Sequence, residues 1–152
     1  MTTIIDGIDG LKAKVGEHLG YSEYVEITQQ QVNQFADATG DHQWIHVDPE
    51  RAATESPFGG PIAHGYLTLS LLPMLMPQIV EITGFRMGVN YGSEKVRFPS
   101  PVPVGSRVRA GAVLDSVTPF DGGITMVVTV TVETEGGTKP ALVATTVSRR
   151  YL

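Results

Sequence analysis

From Ile124 to Glu133 the chain alternates, with Ile124, Met126, Val128 and Val130 separated by threonines at 125, 129 and 131. A period of two with β-branched residues predicts a strand buried on one face. Three further stretches read as strands, roughly Phe85 to Phe98, Arg107 to Val117 and Leu142 to Tyr151. Pro101 to Gly105, Asp121-Gly122-Gly123 and Gly136-Gly137 supply the turns between them. A shorter strand around Tyr21 to Ile27 is predicted ahead of the first helix. Upstream the period changes. Thr28-Gln-Gln-Gln31 has the form of a capping box, and Val32, Phe35 and Ala36 follow at helical spacing, which predicts a helix from about Gln29 to Thr39. Asp48-Pro49 offers an N-cap and a first-turn proline for a second short helix to about Thr54, leaving Gly40 to Val47 as a loop. The stretch from His64 to about Met76 is apolar nearly all round. It predicts a helix buried on every side, bent at Pro73 and ended by Pro77.

Helices followed by consecutive strands with short turns point to an α+β domain whose antiparallel sheet curves around the apolar helix. The 152 residues carry no composition break, so one domain over residues 1–152 is expected. At 41% apolar and 18% charged, the chain can build a core and is no polyelectrolyte. A net charge of −5, with no basic cluster interleaved with aromatics, argues against a nucleic-acid partner. The absence of cysteine excludes disulfides, thiolate metal sites and a cysteine nucleophile. Met1 to Gly10 lacks a basic start leading into an apolar run, which favours a cytoplasmic location over secretion. Residues 62–82 are apolar enough to raise a membrane span, yet His64, Pro73, Pro77, Gln78 and Glu81 interrupt them, and a buried helix is the better account.

The richest polar segment is Thr39 to His46, where Asp41, His42, Gln43 and His46 crowd the predicted loop. On a regular helix Asp41 and His46 would stand about 140° apart, so only irregular backbone lets them converge. From these residues alone, Asp41 as a turn cap and His46 as a packed histidine is the ordinary reading, beside the catalytic one. His42 and His46 are four apart with Asp41 and Asp48 near, a spacing that holds zinc on a continuous helix. Trp44-Ile45 and Asp48-Pro49 break that continuity, so no metal is expected. A second candidate is Pro61-Ile-Ala-His-Gly65 at the start of the apolar helix, where free N–H groups can hold developing negative charge. Gly65 would admit a ligand to the backbone, or merely permit a tight helix start; His64 is read as a satisfied buried histidine.

Gly40-Asp41-His42-Gln43-Trp44-Ile45-His46 resembles the Gly-Asp-x-Asn-Pro-apolar-His motif of the MaoC-like, (R)-specific enoyl-CoA hydratases, and keeps its Asp-to-His spacing. Pro61 to Gly65 is a second match. Asn90-Tyr91-Gly92 with Lys95-Val-Arg-Phe98 and Pro101-Val102 is a third, so the resemblance covers about Gly40 to Gly105. Gln43 stands where the family has Asn, and Trp44 where it has Pro. Gln keeps an amide, whereas Trp44 could reshape the acyl pocket.

The resemblance implies a hot-dog fold, an antiparallel sheet wrapped around one long central helix, in units joined as a homodimer or in a double arrangement, with the active site at the pairing surface. It implies hydration of a trans-2-enoyl thioester of coenzyme A or acyl carrier protein to the (R)-3-hydroxyacyl thioester, in fatty-acid metabolism, reversibly and without a cofactor. Asp41 and His46 would hold the water and share the proton transfers. The Gly65 N–H would receive the oxyanion, and Gln43, Ala63, Asn90 and Tyr91 would contact substrate. Arg97, Arg107 and Arg149 are the candidates for the coenzyme A phosphates. An acyl-CoA thioesterase and a non-catalytic acyl-thioester-binding module are the rival readings, and the Gly-Asp-x4-His pattern favours hydration.

Overall fold

The structure, a computed structural model, describes all residues 1–152. Its elements in chain order are β1 (Thr3–Asp6), α1 (Gly7–Ala13), β2 (His18–Tyr21), β3 (Val25–Glu26), α2 (Gln29–Thr39), α3 (Trp44–Val47), α4 (Pro49–Glu55), α5 (Gly65–Ser70), α6 (Leu72–Ile79), β4 (Val80–Thr83), β5 (Met87–Arg97), β6 (Arg107–Phe120), β7 (Gly123–Thr134) and β8 (Leu142–Tyr151).

The alternation that predicted β7 decides the sheet. β6, β7 and β8 pair antiparallel in sequence order, β2 and β3 add to the outer edge of β6, and β5 closes the far side against β8. Ile124, Val128, Val130 and Val132 of β7 are buried on one face with Val108, Ala110, Ala112 and Leu114 of β6 and Leu142 and Ala144 of β8. The threonines between them lie on the other face, as a two-residue period requires. Against the apolar face pack Leu67, Leu72, Leu75 and Ile79 of α5 and α6, with Leu11, Ile27 and Val32 completing one core. Ala110 and Ala112 keep the helix side of β6 low, which lets α6 approach the strand closely.

The central helix departs from expectation in three ways. It is two segments, because Pro73 has no N–H to give Leu69, and the chain tightens at Leu71, whose N–H bonds the carbonyls of both Leu67 and Thr68. Pro77 does not end it; α6 runs on to Ile79, with Pro73 and Pro77 both on the exposed side, where a missing helical bond disturbs no packing. Nor is it buried all round, since Tyr66 and Met74 are exposed while Leu67, Leu72, Leu75 and Ile79 face the sheet. An apolar residue on a helix need not be inside.

α2 has the predicted bounds, with the Thr28 hydroxyl accepting from the Gln31 N–H and Gly40 closing it at a left-handed φ of 83°. The reciprocal half of the capping box is missing, for Gln31 Oε1 is buried without a partner. α4 starts as expected on the Asp48 side chain, which accepts from the Arg51 N–H. Residues 44–47, expected as loop, form the helical turn α3. The strand expected around Tyr21 to Ile27 is split into β2 and β3 about Ser22, and β1, α1 and β4, with the small parallel β1–β4 pairing, had no forecast. No helix is long and apolar enough to cross a membrane.

Leu75 is fully buried between α6 and the sheet. Leu75→Ala is expected to lower unfolding free energy by about 2–5 kcal/mol, read from urea denaturation; a loss under about 1 kcal/mol would show that this helix does not form the core.

Candidate active site

The turn after Gly40 exposes Asp41, and α3 then carries His46 inward until only 7% of it is exposed. What fixes His46 is a short extended strip, Pro61 to His64, lying between α3 and the segment leading to β6. Ile62 N–H bonds Ile45 O at 3.0 Å, Ala63 N–H bonds Val102 O at 2.8 Å, and Val104 N–H returns to Pro61 O at 2.9 Å. The His46 ring bonds the same strip, Nδ1 standing 2.7 Å from Ile62 O. A carbonyl can only accept, so Nδ1 carries the hydrogen and the neutral ring keeps its lone pair on Nε2. The His46 carbonyl is held in turn by Gln29 Nε2 at 2.8 Å.

His64 ends the strip, 3% exposed, with its ring stacked on His46 at 4.0 Å between centroids and tilted against Phe35 at 5.0 Å. Its Nε2 lies 3.0 Å from Asp41 O. One ligating atom each of Asp41, His46 and His64 lies within 4.8 Å of the others. A water oxygen bonded to two acceptors at about 2.8 Å apiece separates them by about 4.5 Å, so the group has the size that grips one water. The backbone irregularity that the five-residue spacing demanded is therefore present.

Burial pushes His46 below the ordinary imidazole range, the nearby His64 adds to the effect, and the bond to Ile62 O and the Asp41 carboxylate oppose it. His42 goes the other way. Its Nε2 bonds Asp37 Oδ1 at 3.0 Å on the surface, and that bond raises its pKa. His42 and His46 thus do not share a face, and the metal-capable trio uses His64 in place of His42.

A cavity of about 320 Å³ opens beside His46, lined by Ile62, Ala63, Gly65, Thr68, Phe98 and Val102 among others. That size is near the lower end for ligand pockets and suits an acyl group better than a whole nucleotide-bearing thioester. Gly65 is the first residue of α5, and its N–H has no acceptor within the chain. A Cβ there would stand 3.0 Å from the Phe98 ring, so any larger residue would have to push that ring aside.

Of the predicted site residues, His46, Ala63 and Gly65 line the cavity, and Asp41 stands beside His46 without lining it. Gln43 is exposed; its backbone N–H faces Asp41 Oδ1 at 3.4 Å. Asn90 and Tyr91 lie on β5 and do not line this cavity; Asn90 pairs with Ser148, and Tyr91 lies under the Arg149 guanidinium. Trp44 does not shape the pocket either, since Arg51 covers its ring at 4.2 Å. His64, read from sequence as satisfied, has Nδ1 buried without a partner. Its place in Pro61 to Gly65, one residue before the oxyanion candidate, was the available signal.

A model of the MaoC like domain matches residues 11–136. The chain belongs to the MaoC-like domain family. Among the MaoC-like relatives, it is 54% identical over 145 residues to the 3-hydroxyacyl-thioester dehydratase Z of Mycobacterium tuberculosis H37Rv, covering 95% of each chain. It is also 54% identical over 138 residues to nodulation protein N of Rhizobium leguminosarum, covering 87% of this chain and 83% of that one. Among solved structures, the (R)-hydratase from A. caviae superposes with a TM-score of 0.71 at 28% identity, over 88% of this chain and 94% of that one. The α+β architecture is thus the hot-dog fold of this family.

His46 is expected to titrate below about 6.5 and His42 above it when their ring nitrogens are followed by NMR. The unfolded chain binds the His46 proton more readily than the folded one. Stability linked to His46 is therefore present above about pH 6.5 and is lost as pH falls below it. A His46 midpoint at or above that of His42 would contradict the burial.

Proposed function

We propose that this protein is a hydro-lyase of (R)-3-hydroxyacyl thioesters, interconverting them with trans-2-enoyl thioesters by removal and addition of water. The observation that carries the reading is that a carboxylate oxygen of Asp41 lies within 4.8 Å of a ring nitrogen of His46, and that His46 lines an apolar cavity with Gly65 and its free backbone N–H. The name of the Mycobacterium tuberculosis dehydratase, shared over 95% of the chain, supports the same reaction, and the A. caviae relative supports the (R) configuration.

In the hydration direction the thioester carbonyl lies at the start of α5, where the Gly65 N–H donates to its oxygen. Negative charge that develops there as water adds to C3 meets a preoriented donor in a dry setting. His46 Nε2 and the Asp41 carboxylate accept the hydrogens of the water and orient its oxygen. As the C–O bond forms, the pair takes one proton and returns one to C2, so no cofactor has to store charge. Because Nδ1 of His46 is engaged with Ile62 O, Nε2 alone can exchange protons with the cavity.

Arg107 is paired with Glu135 and Arg149 is stacked on Tyr91 and Phe120, which leaves Arg97, beside the pocket residue Phe98, as the candidate for a carrier phosphate. The carrier is coenzyme A or acyl carrier protein.

A second copy of the chain is part of the reading. β5 is an eleven-residue terminal strand with one edge free, and Met87, Val89 and Tyr91 on it are exposed. Such an edge invites pairing. Asn90 and Tyr91 serve in this reading as residues of the pairing edge. A cytoplasmic homodimer is the proposed state.

Loss of enoyl-thioester absorbance should be seen with crotonyl-CoA or a longer homologue, giving the (R) product and unaffected by chelators. Asp41→Asn and His46→Ala should each lower turnover about 10²-fold or more, with the double variant little worse than the weaker single one. An (S) product, or near-normal turnover in either variant, refutes the assignment. Sedimentation equilibrium at micromolar concentration should give at least twice the single-chain mass of 16.3 kDa; a 16.3 kDa species alone would remove the paired edge from the reading.

A further inference from the structure

His64 is the buried ionisable residue that this chemistry leaves idle, and its surroundings are unlike those of a histidine kept for packing. The ring is 3% exposed, its Nε2 bonds the Asp41 carbonyl at 3.0 Å, and its Nδ1 is buried with no partner. Phenylalanine or leucine would fill the same space without burying an unsatisfied nitrogen, so packing alone gives no reason for an imidazole here. Since a carbonyl only accepts, Nε2 carries the hydrogen and Nδ1 is a bare lone pair.

We propose that His64 is a positioning residue for the dehydratase site: it ties the Asp41 backbone to the start of α5 and backs the ring of His46. The proposal rests on the hydro-lyase reading and extends it to a residue that does not itself exchange protons with substrate. Three features meet at this side chain. Asp41 sits on a turn whose other tethers are weak, its own N–H reaching Thr39 Oγ1 at 3.4 Å and its carboxylate facing the Gln43 N–H at 3.4 Å. The His64 bond is the shorter tie, and it comes from another element. The adjacent residue Gly65 carries the oxyanion donor, so one side chain couples the water-holding group to the charge-holding group. The stacked ring, 4.0 Å from His46 at an interplanar angle of 24°, fixes the plane in which Nε2 of His46 points. Among titratable groups, His64 and Asp41 bear on His46, while the face that α2 turns to His64 is the uncharged Phe35.

His64→Phe keeps the ring and loses the donor. His64→Gln places an amide N–H near the position of Nε2, and His64→Asn is too short to reach the Asp41 carbonyl. Each variant is purified as the full chain, and kcat, KM, Tm and the pH dependence of kcat/KM are measured with a 2-enoyl-CoA. For His64→Phe, kcat is expected to fall about 10- to 100-fold with KM little changed and the fold retained, because a displaced acid–base pair loses rate before it loses binding. Gln should recover most of the rate, and Asn should not. His64 holds down protonation of His46, so its removal should move the acid limb of kcat/KM, and the NMR midpoint of His46, to higher pH.

Near-normal kcat in His64→Phe, or equal rates in the Gln and Asn variants, would return His64 to packing. Should His64→Phe not fold, the Gln and Asn comparison decides alone. If the wild-type protein turns over no enoyl thioester, the hydro-lyase reading fails by itself. Amide exchange at Asp41 then decides the positioning claim: faster exchange in His64→Phe than in the wild type and His64→Gln supports it, and unchanged exchange overturns it.

Discussion

The strip from Pro61 to His64 is the interaction on which the site depends. Four residues use both edges of their backbone, bonding Ile45 on one side and Val102 and Val104 on the other, and then start α5. Extended backbone in a half-buried position has to satisfy its N–H and C=O groups, and this strip does so by joining the polar turn to the scaffold. The bond from His46 Nδ1 to Ile62 O belongs to the same strip. Holding one backbone segment therefore also sets the tautomer and orientation of the candidate catalytic imidazole.

Burial has opposite consequences for the two histidines of the Gly40 to His46 segment. His42 stays in water beside Asp37 and gains a preference for its charged form, while His46 leaves water and loses it. Two imidazoles four residues apart are thereby driven to different states by solvation, since desolvation penalises the charged form wherever no counter-charge repays it. A buried imidazole that leans to its neutral form is obtained in this way without any change of residue type. The cost is a site that disfavours protonation, and the adjoining cavity is lined by Ala63, Gly65, Phe98 and Val102, which bring no charge to offset it.

The sheet is asymmetric in a way that bears on the site. β6, β7 and β8 have the helices over their core face, whereas β5 is exposed along most of its length and leads directly into Phe98 at the cavity. The edge that needs a partner and the wall of the pocket are thus continuous in the chain. The Phe98 ring fills the space that a side chain at position 65 would need, so the end of the strand and the start of α5 share one wall of the cavity.

Much was legible along the chain because it depends on short-range physics. The alternation of Ile124 to Val132 could bury only one face, Thr28 and Gly40 could only bound a helix, and Asp48-Pro49 could only start one. Asp41 and His46 were readable as a pair through their motif, although no regular element joins them. What the tertiary structure decided was whatever required a partner distant in sequence. His46 carries its hydrogen on Nδ1 only because Ile62, sixteen residues on, offers a carbonyl at 2.7 Å, and its leaning to the neutral form comes from burial in the fold. His64 looked like a packed histidine until the fold left Nδ1 empty and set Nε2 on Asp41, twenty-three residues back. Asn90 and Tyr91, adjacent to the right motif in sequence, were carried away from the cavity by the pairing of β5 with β8, which sets Asn90 opposite Ser148 and leaves Tyr91 at an irregularity under the Arg149 guanidinium. Pro73 divided the central helix because a missing N–H is local, while Pro77 did not end it because its ring faced solvent, and which way a ring faces is settled by the packing of the whole helix on the sheet.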